Sequence, residues 1–185
     1  MIDELIQDAS RRMDRSVEST REEFNTVRTG RASPALLDRI QIDYYGQKTP
    51  LKQLATINVP EPRLLTIQPF DPNSLKQIEK SIQESDLGLT PANDGKLIRL
   101  PIPQLTEERR KELVKVVRHM AEEGKVAVRN VRRDAIHHLK ELVDKGEVGS
   151  DEEHRAEDRV QKLTDEHVHE IDELLKRKEA EIMEV

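Results

Sequence analysis

An arginine-rich segment in the middle of a long predicted helix is the part of the chain best suited to bind a polyanion. It runs from Val128 to Asp134 and contains Arg129, Arg132 and Arg133. The guanidinium group binds phosphate oxygens through two parallel N–H donors, which makes arginine well suited to phosphate recognition. The whole chain is nevertheless acidic, with a formal net charge of −6. A basic cluster retained on an acidic protein indicates a polyanionic partner, and RNA is the first candidate.

Further basic residues extend this cluster along one face of the same helix, in a sector of about 100° that lies opposite the apolar residues. Charge is also segregated: residues 107–145 have 11 basic and 8 acidic residues, whereas residues 146–185 have 6 and 14. An ordinary solvated face is the alternative interpretation, but the arginine-rich centre favours phosphate binding. We call this set the basic stripe; it comprises Lys111, Lys115, Arg118, Lys125, Arg129, Arg132, Arg133 and Lys140.

The composition excludes several classes of function. The aromatic residues are Phe24, Tyr44, Tyr45 and Phe70, so no region offers a platform for stacking several bases, and RNA binding must depend on phosphates and shape. The absence of cysteine excludes thiol catalysis, disulfides and Cys-based zinc sites. No apolar run approaches the ~20 residues of a membrane span, and the acidic N-terminus lacks the features of a signal peptide. The sequence therefore predicts a cytoplasmic protein.

No residue pattern predicts catalysis or metal binding. Gly88 and the pair Gly95-Lys96 do not have the spacing of a phosphate-binding loop, and no Ser or Thr follows the lysine. His167 and His169 are two residues apart, which on a helix directs them to different sides. His167 falls within an apolar stripe, where a packed histidine is expected rather than a metal ligand. We therefore expect no enzyme activity, no metal and no cofactor.

Three segments have the apolar periodicity of amphipathic helices: one within residues 2–27, one near 107–145, and one that begins at Ser150. Ser150 to Glu153 is typical of a capping box at the start of the third helix. The connection before it is short, so the second and third helices are expected to be antiparallel neighbours. An isolated helix of such length is not stable in water. The pattern therefore predicts a three-helix bundle in which the apolar faces bury one another within a monomer.

Residues 31–104 are rich in proline and have alternating apolar residues, which predicts a small β/α/β domain. Strands are expected at 39–44, 54–59, 63–67 and 96–100. A short helix is expected to begin at Asp71-Pro72, with Leu75, Ile78 and Ile82 on one face. The fold class is thus α+β, in which residues 1–30 and 105–185 form a long antiparallel three-helix bundle and 31–104 form an inserted domain. Gly30 tolerates large dihedral changes, so a hinge is expected at Thr29, Gly30, Arg31, Ala32, Gln104, Leu105 and Thr106.

Five segments resemble the sequence signature of the bacterial ribosome recycling factor family. The likeness covers the whole chain, with the segments in the same order as in the family. Gly124, in the middle of the second helix, departs from the family pattern and lowers the stability of that helix. The segments are Arg28–Pro34, Gln68–Asp71, Leu105–Arg110, Val126–Ala135 and Val160–Asp165.

The resemblance implies an L-shaped protein that binds large-subunit rRNA of the post-termination ribosome. With elongation factor G and GTP, such a factor splits the ribosome into subunits and releases mRNA and tRNA. By position, Arg110, Arg129 and Arg132 are the main expected rRNA contacts, accompanied by Lys111, Arg118, Lys125 and Arg133. Two other classes remain open: a helical-stalk interaction protein such as a nucleotide-exchange co-chaperone, and an enzyme with a site in the α/β module. Such stalks dimerise, so the mass in solution distinguishes the first from a monomeric bundle.

Overall fold

The computed structural model describes residues 1–184, which divide into two compact units. One unit combines Met1–Arg28 with Glu107–Glu184, and the other spans Thr29–Thr106. The α+β class, with three long helices and a small inserted β-containing unit, is confirmed. Along the chain the elements are α1 (Ile2–Thr26), β1 (Gln41–Tyr44), β2 (Gln47–Pro50), β3 (Ala55–Glu61), β4 (Leu64–Pro69), α2 (Leu75–Glu84), β5 (Ala92–Asn93), β6 (Ile98–Pro101), α3 (Glu107–Asp144) and α4 (Ser150–Met183).

The three long helices form an antiparallel bundle whose register follows from contacts between them. Arg12 of α1 forms an ion pair with Asp134 of α3 at 2.8 Å, and further along α1 Thr20 lies against Gly124. Because the residue number rises on α1 as it falls on α3, these two helices are antiparallel. The core is built from the apolar residues spaced by three and four that the sequence shows. Its fully buried members include Met13, Val117, Val128, Leu139, Val160 and Ile171.

The turn between α3 and α4 differs from the predicted capping box. Gly149, not Ser150, is the N-cap residue of α4, and no side chain caps this end of the helix. The Glu153 N–H donates to the Gly149 carbonyl at 3.0 Å, so the backbone alone starts the helix. Upstream, Gly146 has φ 72 and the Glu147 N–H donates to the Leu142 carbonyl at 2.9 Å. This left-handed glycine ends α3 in a Schellman-type turn and fixes the direction from which the chain enters α4.

Gly124 lies where α1 and α4 pack closely against α3. A Cβ atom at this position would overlap Thr20 Oγ1 and would stand 3.3 Å from Ile171 Cδ1 of α4. The Thr20 hydroxyl is held in place because it donates to the Ser16 carbonyl at 2.9 Å. The glycine therefore lowers intrinsic helix propensity but allows three helices to pack at one level of the bundle.

We expect the Gly124→Ala substitution to lower the free energy of unfolding by about 1–3 kcal/mol, because overpacking outweighs the gain in helix propensity. Urea unfolding followed by circular dichroism at 222 nm measures the change. In a Thr20→Ala background the overlap with the hydroxyl is removed, so the same substitution should then be tolerated or stabilising. A stabilising effect of Gly124→Ala in the wild-type background would show that the helices have room for the methyl group.

His167 is packed inside the bundle, as its place in the apolar stripe predicts. Its side chain is 8% exposed, with Nε2 at 2.6 Å from Asp14 Oδ1 of α1 and Nδ1 at 2.7 Å from the Leu163 carbonyl. Both partners are acceptors, so a ring that carries both protons satisfies them. Burial by itself lowers the pKa of His167, but the hydrogen bonds to Leu163 and Asp14 and the charges of Asp14 and Glu170 outweigh it, and the net pKa is raised.

This pKa shift predicts a pH-dependent stability of the bundle. A histidine with a raised folded-state pKa contributes its full stabilisation below the unfolded value of 6.5 and loses it as the pH rises through the folded value. We therefore expect the wild-type free energy of unfolding, measured in urea, to fall as the pH rises above the unfolded-state value of 6.5. His167→Gln should flatten this fall, whereas His169→Gln, a change at an exposed α4 residue, should leave it unchanged. An equally steep fall in the His167→Gln protein would contradict the assignment.

The small unit contains a four-stranded antiparallel sheet of order β3-β4-β6-β5 and a separate hairpin of β1 and β2. Helix α2 buries Leu75, Ile78 and Ile82, the residues predicted to share its inner face. Asp71 accepts a hydrogen bond from the Asn73 N–H at 3.0 Å and caps the turn that leads into α2. Tyr45 and Gly46, with φ of 50 and 80, form the two-residue turn of the hairpin. Strands β2 and β5 were not predicted, since neither has an alternating apolar pattern.

Candidate nucleic-acid interface

Helix α3 carries every residue of the basic stripe on one continuous scaffold of 38 residues. Its core face is set by residues from Leu113 to Leu139, which leaves the remaining faces for polar groups. From Arg110 to Arg132 the helix rises about 33 Å, so the predicted contacts form an extended strip rather than a compact pocket. An extended strip of cations suits a polymer of phosphates better than a small anion.

Part of the basic stripe lies along the contact between α3 and α4, which corrects the expectation that it lies opposite the apolar face. Arg118 Nε donates to Glu179 Oε1 at 2.6 Å, and Lys125 forms an ion pair with Asp172. Lys125 also contacts Glu122 at 3.4 Å, and its side chain is 13% exposed. Cations on α3 and carboxylates on α4 both recur every seven residues, about two helical turns, so they meet in successive pairs.

These pairs reduce the positive charge available at Arg118 and Lys125. The hydrogen bond to Glu179, followed by the charge of that carboxylate, raises the pKa of Arg118. The hydrogen bond to Asp172 raises the pKa of Lys125 against the opposing effect of burial. Both groups stay protonated, but a phosphate would have to compete with a carboxylate already in place. Their main structural role is to join α3 to α4.

The arginine cluster at the centre of the stripe has a different environment. Arg132 Nη1 donates to Gln161 Oε1 of α4 at 3.0 Å, and Gln161 Nε2 donates to Asp165 at 2.9 Å. Arg133 donates to the Asn130 amide oxygen at 3.3 Å. Within residues 1–184, no carboxylate lies at ion-pair distance from Arg129, Arg132 or Arg133. Neutral amides therefore orient two guanidinium groups without cancelling their charge.

Asp134 is the acidic residue nearest in sequence to the cluster, and α1 neutralises it. Arg12 Nη2 donates to Asp134 Oδ2 at 2.8 Å. This hydrogen bond, followed by the charge of Arg12, lowers the pKa of Asp134 despite some desolvation. The Asp134 carboxylate therefore forms its ion pair with α1 and does not neutralise the neighbouring arginines of α3.

Arg110 and Lys111 stand in the first turns of α3, well away from the cluster. Arg110 is buried, with 9% of its surface exposed, whereas Lys111 is exposed and pairs with Glu107 at 3.7 Å. Two buried side-chain polar atoms in the described part of the chain lack a hydrogen-bond partner, namely Nε of Arg110 and Nε of Arg132. An unsatisfied buried donor costs stability, and neither Nε atom is accessible to a phosphate in this structure.

Sequence reasoning did not identify Gln161 and Asp165, which orient Arg132, or Arg12, which pairs with Asp134. The sequence does contain a pattern that indicates contacts between α3 and α4. Asp165, Asp172 and Glu179 follow one another at seven-residue intervals on α4, and Arg118, Lys125 and Arg132 do so on α3. The excess of acidic residues on α4 was interpreted only as a separation of charge between the helices. The matching seven-residue intervals instead indicate that acidic residues of α4 pair with basic residues of α3.

Other kinds of site find no support in the residues that the structure describes. Residues 1–184 contain no group of three or more His, Asp or Glu side chains arranged to hold a metal ion. None of the helices in this part of the chain combines the length and apolar character needed to cross a membrane.

The fold and the arginine cluster define a helical-bundle protein with a cationic face on α3 and a small inserted α/β unit. The sequence profile of ribosome recycling factors matches residues 20–183, and the chain belongs to this family. The ribosome-recycling factor of Rubrobacter xylanophilus is 61% identical over 180 residues, which is 97% of each chain. That of a Geobacillus species is 54% identical over 185 residues and the full length of both.

Solved structures of the family agree with the fold. A solution structure of a ribosome recycling factor superposes with a TM-score of 0.76 at 44% identity, covering 100% of this chain and 98% of the other. The T. thermophilus factor, bound with E. coli elongation factor G to the E. coli post-termination complex, gives a TM-score of 0.65 at 47% identity over the full length of both chains. The resemblance seen in the sequence is confirmed, and the stalked co-chaperone is no longer a competing interpretation.

Proposed function

We propose that this chain is a cytoplasmic, monomeric recycling factor that acts with elongation factor G and GTP. It binds the post-termination ribosome and splits it into subunits, with release of mRNA and tRNA. Family membership supports the proposal, as does the T. thermophilus relative that is bound to the post-termination complex together with elongation factor G. The observation that carries the RNA-binding part is the arginine cluster, whose charge no carboxylate of residues 1–184 neutralises.

In this proposal the arginine cluster anchors the bundle on large-subunit rRNA through phosphate oxygens. Arg129 and Arg132 are the main contacts, and the orientation of Arg132 by Gln161 lowers the entropy lost on binding. Arg110 is a third contact by its position in the family signature, although only 9% of its surface is exposed. Lys111 and Arg133 add exposed positive charge, whereas Arg118 and Lys125 contribute less because carboxylates already pair with them. The chain performs no chemistry, and GTP hydrolysis belongs to the elongation factor.

The inserted domain acts as a lever that the elongation factor moves about a hinge. Two hydrogen bonds fasten the connecting segments to the turn between β3 and β4: the Ala32 N–H donates to Pro62 at 2.7 Å and the Ile102 N–H donates to Arg63 at 2.8 Å. Any bending is therefore confined to residues outside 32–102. That leaves residues 29–31 in one connection and residues 103–106 in the other, so Ala32, which was also expected in the hinge, is excluded from it in this proposal. The splitting step then depends on force applied to the small unit.

Co-sedimentation of the protein with isolated ribosomal subunits over a series of salt concentrations tests the binding part of this proposal. We expect binding to the large subunit, with an affinity that falls linearly with salt on logarithmic axes, because each phosphate contact releases counterions. Equal binding to the small subunit, or binding that does not respond to salt, would contradict a phosphate-based site on the large subunit.

A further inference from the structure

The contact between α3 and α4 carries a series of ion pairs that are spaced by seven residues on both helices. The series comprises Arg118 with Glu179 and Lys125 with Asp172. Because the two helices are antiparallel, the next pair in the series would join Arg132 of α3 to Asp165 of α4. No ion pair joins these two residues in the part of the chain that the structure describes. The series is therefore interrupted at the arginine cluster.

The side chain of Gln161 lies between Arg132 and Asp165 and bonds to both. Its amide oxygen accepts from Arg132 Nη1 at 3.0 Å, and its amide nitrogen donates to Asp165 Oδ1 at 2.9 Å. A glutamate could not donate to Asp165, and a lysine could not accept from Arg132. The neutral amide thus satisfies both charged groups and holds them apart.

The bond to Gln161 leaves part of the Arg132 guanidinium group unused. Of its five N–H donors, the one on Nε is buried without a partner in residues 1–184, and one on Nη1 bonds to Gln161. The remaining donors belong to the two Nη groups at the end of the side chain. Arg118 differs, because its Nε donates to Glu179 at 2.6 Å. A phosphate at Arg118 must displace a carboxylate, whereas a phosphate at Arg132 displaces none from residues 1–184.

We propose that Gln161 is a positioning residue for rRNA binding, which blocks the ion pair between Arg132 and Asp165 and keeps Arg132 available to phosphate. The inference rests on the proposed function, in which Arg132 binds large-subunit rRNA. It assigns different roles to successive members of the series. Where a carboxylate completes the pair, the cation joins α3 to α4. Where a neutral amide takes that place, the cation remains available for the ligand.

Two substitutions of Gln161 should restore the missing ion pair. Gln161→Glu places a carboxylate directly against Arg132, and Gln161→Ala removes the group that separates Arg132 from Asp165. We expect each change to lower the affinity of the full-length protein for large subunits by about tenfold in co-sedimentation. Neither should lower the urea midpoint, because Gln161 is exposed and a surface ion pair changes stability little.

The Asp165→Asn substitution distinguishes a blocked ion pair from other effects of Gln161. In the Gln161→Ala background it removes the carboxylate that Arg132 would otherwise meet, so it should restore most of the lost affinity. In the wild-type background Gln161 already blocks the pair, so the same change should raise affinity much less. Gln161→Glu combined with Asp165→Asn has the net charge of the wild type but keeps a carboxylate against Arg132. This charge-matched variant should bind as weakly as Gln161→Glu alone.

Wild-type affinity of both single Gln161 variants would overturn the inference. An equal gain from Asp165→Asn with and without Gln161 would overturn it too, because the carboxylate would then act independently of the amide. Wild-type affinity of the charge-matched variant would show that net charge alone decides binding, and a urea midpoint that falls in step with affinity would show a merely structural role. Failure of the wild-type protein to bind large subunits would instead refute the proposed function, which is a distinct result.

Discussion

Replacement of residues 29–106 by a flexible linker is expected to give a protein that binds large subunits but no longer splits ribosomes. The bundle unit retains α1, α3 and α4, their buried stripes and the whole arginine cluster. It should therefore fold with high helicity and keep the proposed rRNA contacts. It lacks the lever on which elongation factor G acts, so the rate of splitting should fall to the level seen without any factor.

The register of the helices sets the length of that linker. Arg12 pairs with Asp134 and Thr20 lies against Gly124, so the end of α1 stands near residue 118 of α3. Helix α3 begins at Glu107, about 16 Å further along at 1.5 Å per residue. A Gly/Ser linker of about eight residues spans this distance at modest entropic cost. A shorter linker would pull the end of α1 out of the bundle.

Two measurements decide the outcome for the shortened protein: co-sedimentation for binding and light scattering for splitting. Circular dichroism first establishes that the helices have formed. Full splitting activity would show that the inserted unit is not a lever. A folded protein that does not bind ribosomes would move the main binding site from the arginine cluster to the inserted unit.

Substitution of Arg132 by Ala is the second change with a large expected effect. We expect affinity for large subunits to fall by about tenfold or more, because a charge-assisted hydrogen bond contributes about 1.5–3 kcal/mol. Arg129→Ala should have a smaller effect in the same direction. Loss of one phosphate contact should also flatten the logarithmic dependence of affinity on salt by about 0.7–0.9. The fold should survive, since Gln161 keeps its hydrogen bond to Asp165.

Matched variants separate charge from geometry. Arg132→Lys keeps the charge but loses the planar fork, so partial recovery is expected if bidentate phosphate binding matters. Arg155→Ala removes the same charge from an exposed position of α4 and should leave binding unchanged. Unchanged affinity of the Arg132→Ala protein at every salt concentration would show that the cluster is an ordinary solvated face.

The long helices and the strands with alternating apolar residues could be predicted from sequence because one period dominates each segment. Helices α3 and α4 begin at the predicted positions, and Leu75, Ile78 and Ile82 lie on the predicted inner face of α2. The N-cap residue of α4, Gly149, was not predicted, since Ser150 to Glu153 fits the sequence pattern of a side-chain cap. Strand β5 has two residues, and β2 has no buried face, so neither carries a periodic signal.

The environment of the basic stripe could be predicted less well. Angular position on a single helix gives the direction of a side chain but not the position of the neighbouring helix. The side chains of Arg118 and Lys125 therefore lie in the sector predicted for the basic stripe, but they form ion pairs with carboxylates of α4. Arg129, Arg132 and Arg133, by contrast, combine the predicted charge with the absence of any carboxylate partner in residues 1–184. Long-range pairing of this kind requires the relative register of two helices.

Light scattering of post-termination ribosomes mixed with the full-length protein, elongation factor G and GTP tests the central claim most directly. We expect the scattered intensity to fall as 70S particles separate into subunits, and to fall only when all three components are present. The Arg132→Ala protein should restore the fall at higher protein concentration, because it binds more weakly. No fall with the complete mixture, or an equal fall without elongation factor G, would contradict the proposed function.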